Sequence, residues 1–210
     1  TVMEDKKLYI IKNVGKLYMK FGIRSVTMDD VANEFGVSKK TLYQYFSDKE
    51  DLVSQVIDYY LQNPILNLEA HHQQNAIDSM FKIREHVAHI FKFYNNTIEF
   101  DLKKIYPKLY KKVHDAKRHR IFNNTVANIE QGIKQGLYRN GLNAEFIAKL
   151  QVGRMLYTLN PDYQIFKENE AHSLEVFDET ISYHMNAICT EKGLKYYKEQ
   201  LNKIQNEDKN

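Results

Sequence analysis

The stretch TMDDVANEFGVSKKTLYQYFSDKEDL, residues 27 to 52, reads as a helix, a glycine turn, a second helix and the capped start of a third. Thr27 with Asp30 three positions on has the spacing of a capping box, with Asp in the place of Glu or Gln. Val31, Ala32 and Phe35 follow at helical spacing, and Gly36 suits the left-handed position that ends a helix. Ala32, four residues before Gly36, is small enough to let two short helices cross closely. Ser38 predicts the cap of the second helix, whose Leu42 and Phe46 lie four apart on one buried face. Ser47 and Glu50 predict a second capping box that opens the third helix. Two short helices joined by a glycine turn form the pattern of a helix-turn-helix, whose second helix enters the DNA major groove.

The exposed face of that second helix points to function. From Gly36 through Phe46 there are two lysines, Lys39 and Lys40, and no acid. Lysines in a first helical turn oppose the helix dipole, so a phosphate or guanine partner would supply what the chain omits. A solvated helix end is the plain alternative for the lysines alone. Their neighbours Thr41, Tyr43, Gln44 and Tyr45 weigh against it.

The run VSKKTLYQYFSDKEDL, from Val37 to Leu52, resembles the recognition helix and following turn of the TetR family of bacterial transcriptional regulators. Thr41 to Asp51 matches that family's T-L-Y-x-[HY]-F core, followed by a lysine and an acidic pair. The resemblance covers about the first quarter of the chain. It implies an all-α homodimer that binds double-stranded operator DNA: an N-terminal three-helix helix-turn-helix domain (residues 1–47), then a larger helical effector-binding and dimerisation domain (residues 48–210). It also implies roles at matching positions. Thr27, Thr41, Tyr43 and Lys49 would contact phosphates, whereas Ser38, Lys39, Lys40, Gln44 and Tyr45 would reach base edges. Packing beside Phe46 is the alternative for Tyr45.

Composition sets looser bounds. A formal net charge of +3 over 210 residues makes any nucleic-acid site a local patch. One cysteine, Cys189, excludes an intrachain disulfide, and no apolar run approaches bilayer length, so the expectation is a cytoplasmic protein without membrane contact. Only three prolines occur and no alternating strand pattern appears, which predicts an all-α fold.

Beyond the central stretch, residues 4 to 21 predict a first helix with Leu8, Ile11, Val14, Leu17, Tyr18 and Phe21 inside, stopped at Gly22. The helix from Ser47 should bury Leu52, Val53, Val56 and Ile57 and end at Asn63-Pro64. Residues 65 to 75 read as a loop or frayed helix, followed by a long helix containing Met80, Phe81, Ile83, Val87, Ile90, Phe91 and Tyr94. Asp101 reads as the cap of a shorter helix that Pro107 restarts, and a further helix is expected from about 114 to Gly136. Asn143 should cap a helix containing Phe146, Ile147, Leu150 and Leu156; Leu174, Phe177, Ile181, Met185 and Ile188 mark another, and a short terminal helix follows. The helices at about 143–158 and 172–190 are the expected subunit interface.

The effector is expected to be a small molecule, aromatic or apolar or else anionic. Phe91, Tyr94, Phe100, Tyr106, Tyr110 and Phe122 are the residues that would line its pocket, with ordinary core as the alternative. The basic run Lys103, Lys104, Lys108, Lys111, Lys112, Lys117, Arg118 and Arg120, opposed only by Asp115, reads as a solvated face; attraction of an anionic effector or the DNA backbone is the sharper reading. The pairs His86/His89, His71-His72 and His114/His119 lack supporting carboxylates, so no metal, cofactor or enzymatic activity is expected. Cys189 reads as a small buried apolar residue. Three readings therefore stand: a repressor controlled by a small molecule, a DNA-binding regulator controlled by a protein partner, and an all-α enzyme.

Overall fold

Caps and apolar spacing divide the chain into helices. The computed structural model describes residues 2–62, 75–92, 96–158 and 160–207. Among them the α-helices are α1 (Val2–Phe21), α2 (Met28–Glu34), α3 (Lys39–Tyr45), α4 (Lys49–Gln62), α5 (Ala76–Lys92), α6 (Asn96–Ile105), α7 (Pro107–Lys134), α8 (Ala144–Gly153), α9 (Glu168–Ala171), α10 (Leu174–Ile188) and α11 (Glu191–Glu207). A π-helical turn, Arg154–Thr158, continues α8. The fold is all-α. Among the described residues the one extended pairing is a single antiparallel bridge, Tyr138 to Cys189. The expected loop over 65–75 lies outside the described residues except for Asn75.

The chain forms two compact units: Thr1–Ile65 with Phe93–Ala116, and Leu66–Lys92 with Lys117–Asn210. In the first unit, Ile10, Val14, Val31, Leu42, Phe46, Leu52 and Val53 are almost fully buried together. Burying such a side chain contributes roughly 1.5–3 kcal/mol. Most of the favourable energy of this small unit therefore comes from the contact of α1, α2, α3 and α4. The buried face of α1 is Ile10, Ile11, Val14 and Tyr18, while the expected Leu8 and Phe21 are exposed. The inward stripe is thus shifted to include Ile10, with Leu17 partly buried against the same core.

Other boundaries moved for identifiable reasons. The cap of α4 is Asp48, not Ser47: the Asp48 carboxylate accepts the Asp51 N–H at 2.8 Å, and the Asp51 carboxylate reaches back to the Ser47 N–H at 2.9 Å. A carboxylate one residue further on out-competed the hydroxyl. Asp101 lies within α6 and is 2% exposed; its partner is the Arg24 N–H in the α1–α2 turn. It therefore caps a turn distant in sequence rather than its own helix. Pro107 does restart the chain, but as the first residue of one 28-residue helix, so the helix expected from about 114 begins seven residues earlier.

In the second unit, Ile77, Ile129, Tyr138, Phe177, Met185 and Ile188 are buried. Phe177, Ile181, Met185 and Ile188 form the inward face of α10, as their spacing predicts. The terminal helix is long, at 17 residues. It starts under the strand-like segment at Leu137, where the Thr190 N–H donates to the Leu137 carbonyl at 2.9 Å. A Cβ at Gly193 would lie 2.0 Å from that carbonyl oxygen, so only glycine permits this approach. An ion pair between Arg84 and Asp178, with contacts of 2.8 Å and little exposure, ties α5 to α10.

Candidate nucleic-acid interface

The first unit builds its reader from two capped helices. The Thr27 hydroxyl accepts the Asp30 N–H at 3.1 Å while the Asp30 carboxylate accepts the Thr27 N–H at 2.8 Å, the reciprocal capping box expected from sequence. The Thr27 hydroxyl also donates to that carboxylate at 2.6 Å, and this bond, with the one from the Thr27 N–H, lowers the Asp30 pKa. At the other end of α2, Gly36 adopts φ 60°. The Val37 N–H reaches the Ala32 carbonyl at 3.0 Å, and the Gly36 N–H the Asn33 carbonyl at 3.3 Å, closing a Schellman turn. Ser38 then caps α3 by accepting the Thr41 N–H at 3.0 Å.

This geometry divides α3 cleanly. Leu42 and Phe46 are fully buried and fix the helix to the core. Lys39, Lys40, Tyr43 and Gln44 are exposed on the opposite side. Tyr45 is half-buried, packs on the core and meets the Phe46 ring edge-on at 6.2 Å, so its ring serves packing in this structure. Thr41 and Ser38 share a hydroxyl contact of 2.8 Å, which ties both side chains to the cap.

Two of the cations already have partners within the unit. Lys39 pairs with Asp29 at the start of α2, at 2.8 Å, and that hydrogen bond and charge raise its pKa. Lys49 is half-buried and donates to the Arg24 carbonyl at 3.0 Å; burial lowers its pKa, partly offset by Asp101 and Asp30. Lys40 makes no hydrogen bond or ion pair with any described residue and is exposed. Sequence reading missed Asp29, Arg24 and Asp101 as neighbours of the reader. The partner of Asp101 lies 77 residues away, beyond any local pattern.

The expected effector residues fall in both units. In the first, Tyr106 and Tyr110 pack on the core and Phe100 is exposed, with Lys104 5.3 Å above its ring. In the second, Phe91 packs on the core and meets the His172 ring edge-on at 6.0 Å, and Phe122 is half-buried on α7. Tyr94 lies outside the described residues. Within the basic run, Lys111 pairs with Asp115 and Lys112 with Asp58 of α4. Among the described residues no group of three or more His, Cys, Asp or Glu is arranged for a metal ion, and no helix is long and apolar enough to cross a membrane.

Comparison with known proteins agrees with the geometry. Residues 15–56 match the family model of bacterial regulatory proteins, tetR family. The chain is 36% identical over 70 residues to the Bacillus subtilis HTH-type transcriptional regulator YerO, covering 32% of this chain and 24% of that protein. It is 28% identical over 115 residues to the Staphylococcus epidermidis biofilm operon icaADBC HTH-type negative transcriptional regulator IcaR, covering 54% and 55%. The matched stretches thus span between a quarter and about half of these curated relatives. A transcriptional regulator from Cytophaga hutchinsonii superposes with a TM-score of 0.68 at 21% identity, covering 87% of this chain and 97% of that one. The reduced form of Escherichia coli NemR gives 0.65 at 13%, covering 89% and 97%. At such identities the likeness is one of fold. The motif from Thr41 to Asp51, the matched residues 15–56 and the all-helical fold agree: the N-terminal segment of the chain is of the kind found in bacterial regulatory proteins of the tetR family, and the chain shares its fold with solved transcriptional regulators.

Proposed function

We propose that the chain is a homodimeric, sequence-specific DNA-binding repressor whose operator affinity is modulated by a small molecule bound within residues 48–210. The observation that carries the DNA reading is the division of α3, with Leu42 and Phe46 sealed in the core and Lys39, Lys40, Tyr43 and Gln44 presented together to solvent. Lysine can donate to guanine, and the glutamine amide can pair with the N6/N7 edge of adenine. Thr27 caps α2, Thr41 lies in the first turn of α3 and Tyr43 is exposed two residues on; phosphate contacts from these positions would set register. The repressor assignment follows the negative regulator IcaR.

Two open helix faces support the dimer. On α8 and its π-helical continuation, Phe146, Leu150 and Tyr157 are exposed, and a Cβ at Gly153 would meet nothing within 4 Å. On α10, Val176, Thr180, Tyr183 and Ala187 recur at helical spacing away from the buried face, and Tyr183 is 73% exposed. Apolar stripes of this kind on adjacent helices suit a two-fold four-helix contact. A dimer would present two copies of α3 for half-sites about 34–36 Å apart.

Selection of bound sequences from a random duplex library, with sedimentation of the free chain, tests the proposal. An enriched palindromic site and a dimeric mass are expected. Absence of any enriched site would overturn the reading.

A further inference from the structure

Within the second unit a charge lies among neutral partners. Arg154, the first residue of the π-helical turn, directs Nη2 to the Gln151 side-chain carbonyl and to Nδ1 of His184 at 3.0 Å. Gln151 and His184 are both buried, at 6% and 4% exposure. A guanidinium has only donors, so Nδ1 must accept and His184 is the neutral Nε2–H tautomer. Burial and the Arg154 charge push its pKa down to about 4, in keeping with that role. The Nε of Arg154 is buried with no hydrogen-bond partner. Among the described residues no carboxylate pairs with it, and its guanidinium carbon stands over the Tyr183 ring, 5.8 Å from the centroid.

A guanidinium does not lose its proton, and a partly buried cation without a counter-charge is costly unless something outside the subunit supplies one. The surroundings say what that would be. Arg154 interrupts the open stripe of α8 between Leu150 and Tyr157, and Tyr183 belongs to the open stripe of α10. On α10 the His184 edge of that stripe faces the subunit's own α8, through Arg154. The opposite edge carries Glu179, one turn before Tyr183 and exposed. When two copies pack these stripes about a two-fold axis, a flank of α10 not filled by its own α8 meets the α8 of the other copy. Such a contact would bring the exposed carboxylate of one copy towards the unpaired guanidinium of the other, twice per dimer.

We propose that Arg154 takes its counter-charge from a second copy of the chain, through Glu179 of the partner subunit, so that the cation site is complete only in the dimer. This rests on the dimer reading given above. A desolvated charge pair of this kind favours one register and one partner over others.

A double-mutant cycle on the dimer dissociation constant, measured by analytical ultracentrifugation, tests the pairing. Arg154→Met and Glu179→Gln should each weaken the dimer by about tenfold or more, and the double variant should be no weaker than either single. Glu179 is exposed in the subunit, so its substitutions leave the monomer fold intact, which far-UV circular dichroism verifies. Should Arg154→Met fail to fold, the charge-swapped pair Arg154→Glu with Glu179→Arg provides the second arm. Glu179→Arg alone should disperse the dimer, and the pair should restore it. Independent, additive effects in a wild-type dimer overturn the Arg154–Glu179 pairing and leave the dimer reading standing. A wild-type chain that sediments as a monomer at every concentration overturns both.

Discussion

The carboxylate of Asp101, in the middle of α6, accepts the backbone N–H of Arg24 at 2.8 Å. Lys49 of α4 donates to the carbonyl of the same residue at 3.0 Å. The turn from α1 into α2 is thus held from both sides, and that turn sets where Thr27 begins the reader. Removing the Asp101 carboxylate leaves a partly buried N–H without its partner, which costs up to about 1–3 kcal/mol. Asp101→Ala should therefore lower the unfolding free energy read from urea melts by about that amount and weaken DNA binding. Asp101→Asn should cost less, because its amide carbonyl can still accept. Equal stability of Asp101→Ala and wild type in urea melts would show the bond to be unimportant.

Lys39 is held by Asp29 across the α2–α3 junction, and both side chains are 59% exposed. Asp29 must also approach any phosphate or base edge that Lys39 contacts. Asp29→Asn is expected to raise operator affinity by roughly two- to fivefold at low salt. The gain should fade as salt rises, because exposed charges are screened. Titrations at two ionic strengths check this, and a loss of affinity would mean that Asp29 orients Lys39 for reading.

Exposed Tyr43 and Gln44 should separate positioning from reading. Tyr43→Phe is expected to weaken binding to all sequences alike, since only a phosphate donor is lost. Gln44→Ala should change the selected sequence at one position, with a discrimination loss of about 1–3 kcal/mol there. Unaltered preference in a binding selection would remove Gln44 from the reading set. Lys40→Ala should lower the salt slope by about 0.9 if its amine neutralises one phosphate.

His184 predicts an acid-labile second unit. Its folded pKa of about 4 lies below the ordinary 6.5, so between these values the unfolded chain binds the extra proton. Stability is then fully present above pH 6.5 and is lost as pH falls towards 4, by on the order of 3 kcal/mol in total. The groups facing the ring are Arg154 and, through it, Gln151. Chemical denaturation across this window should show the decline, and His184→Gln, which keeps an acceptor for Arg154, should flatten it.

The Cys189 thiol, 7% exposed at the end of α10, is pushed up to about 11 by burial. Little thiolate exists at neutral pH, so alkylation by iodoacetamide should be slow in the native state and fast in denaturant. Rapid native-state labelling would show that the segment around Leu137 opens.

The sequence by itself determined the all-α fold, the reader and its caps, because these depend on contacts within about four residues. The Thr27–Asp30 box, the Gly36 turn, the Ser38 cap and the buried pair Leu42 and Phe46 are all of this kind. Competition between neighbouring caps was harder to read, and so the cap of α4 fell to Asp48. Only the tertiary structure decided the partners of Asp101, Lys39, Lys49 and Arg154. Each depends on where separate helices come to rest, and neither composition nor periodicity encodes which side of a helix a distant neighbour will occupy. The same reason divides the apolar residues of α8 and α10. Spacing marked both helices as amphipathic, but packing chose which stripe to bury and left Phe146, Leu150 and Tyr183 facing outward.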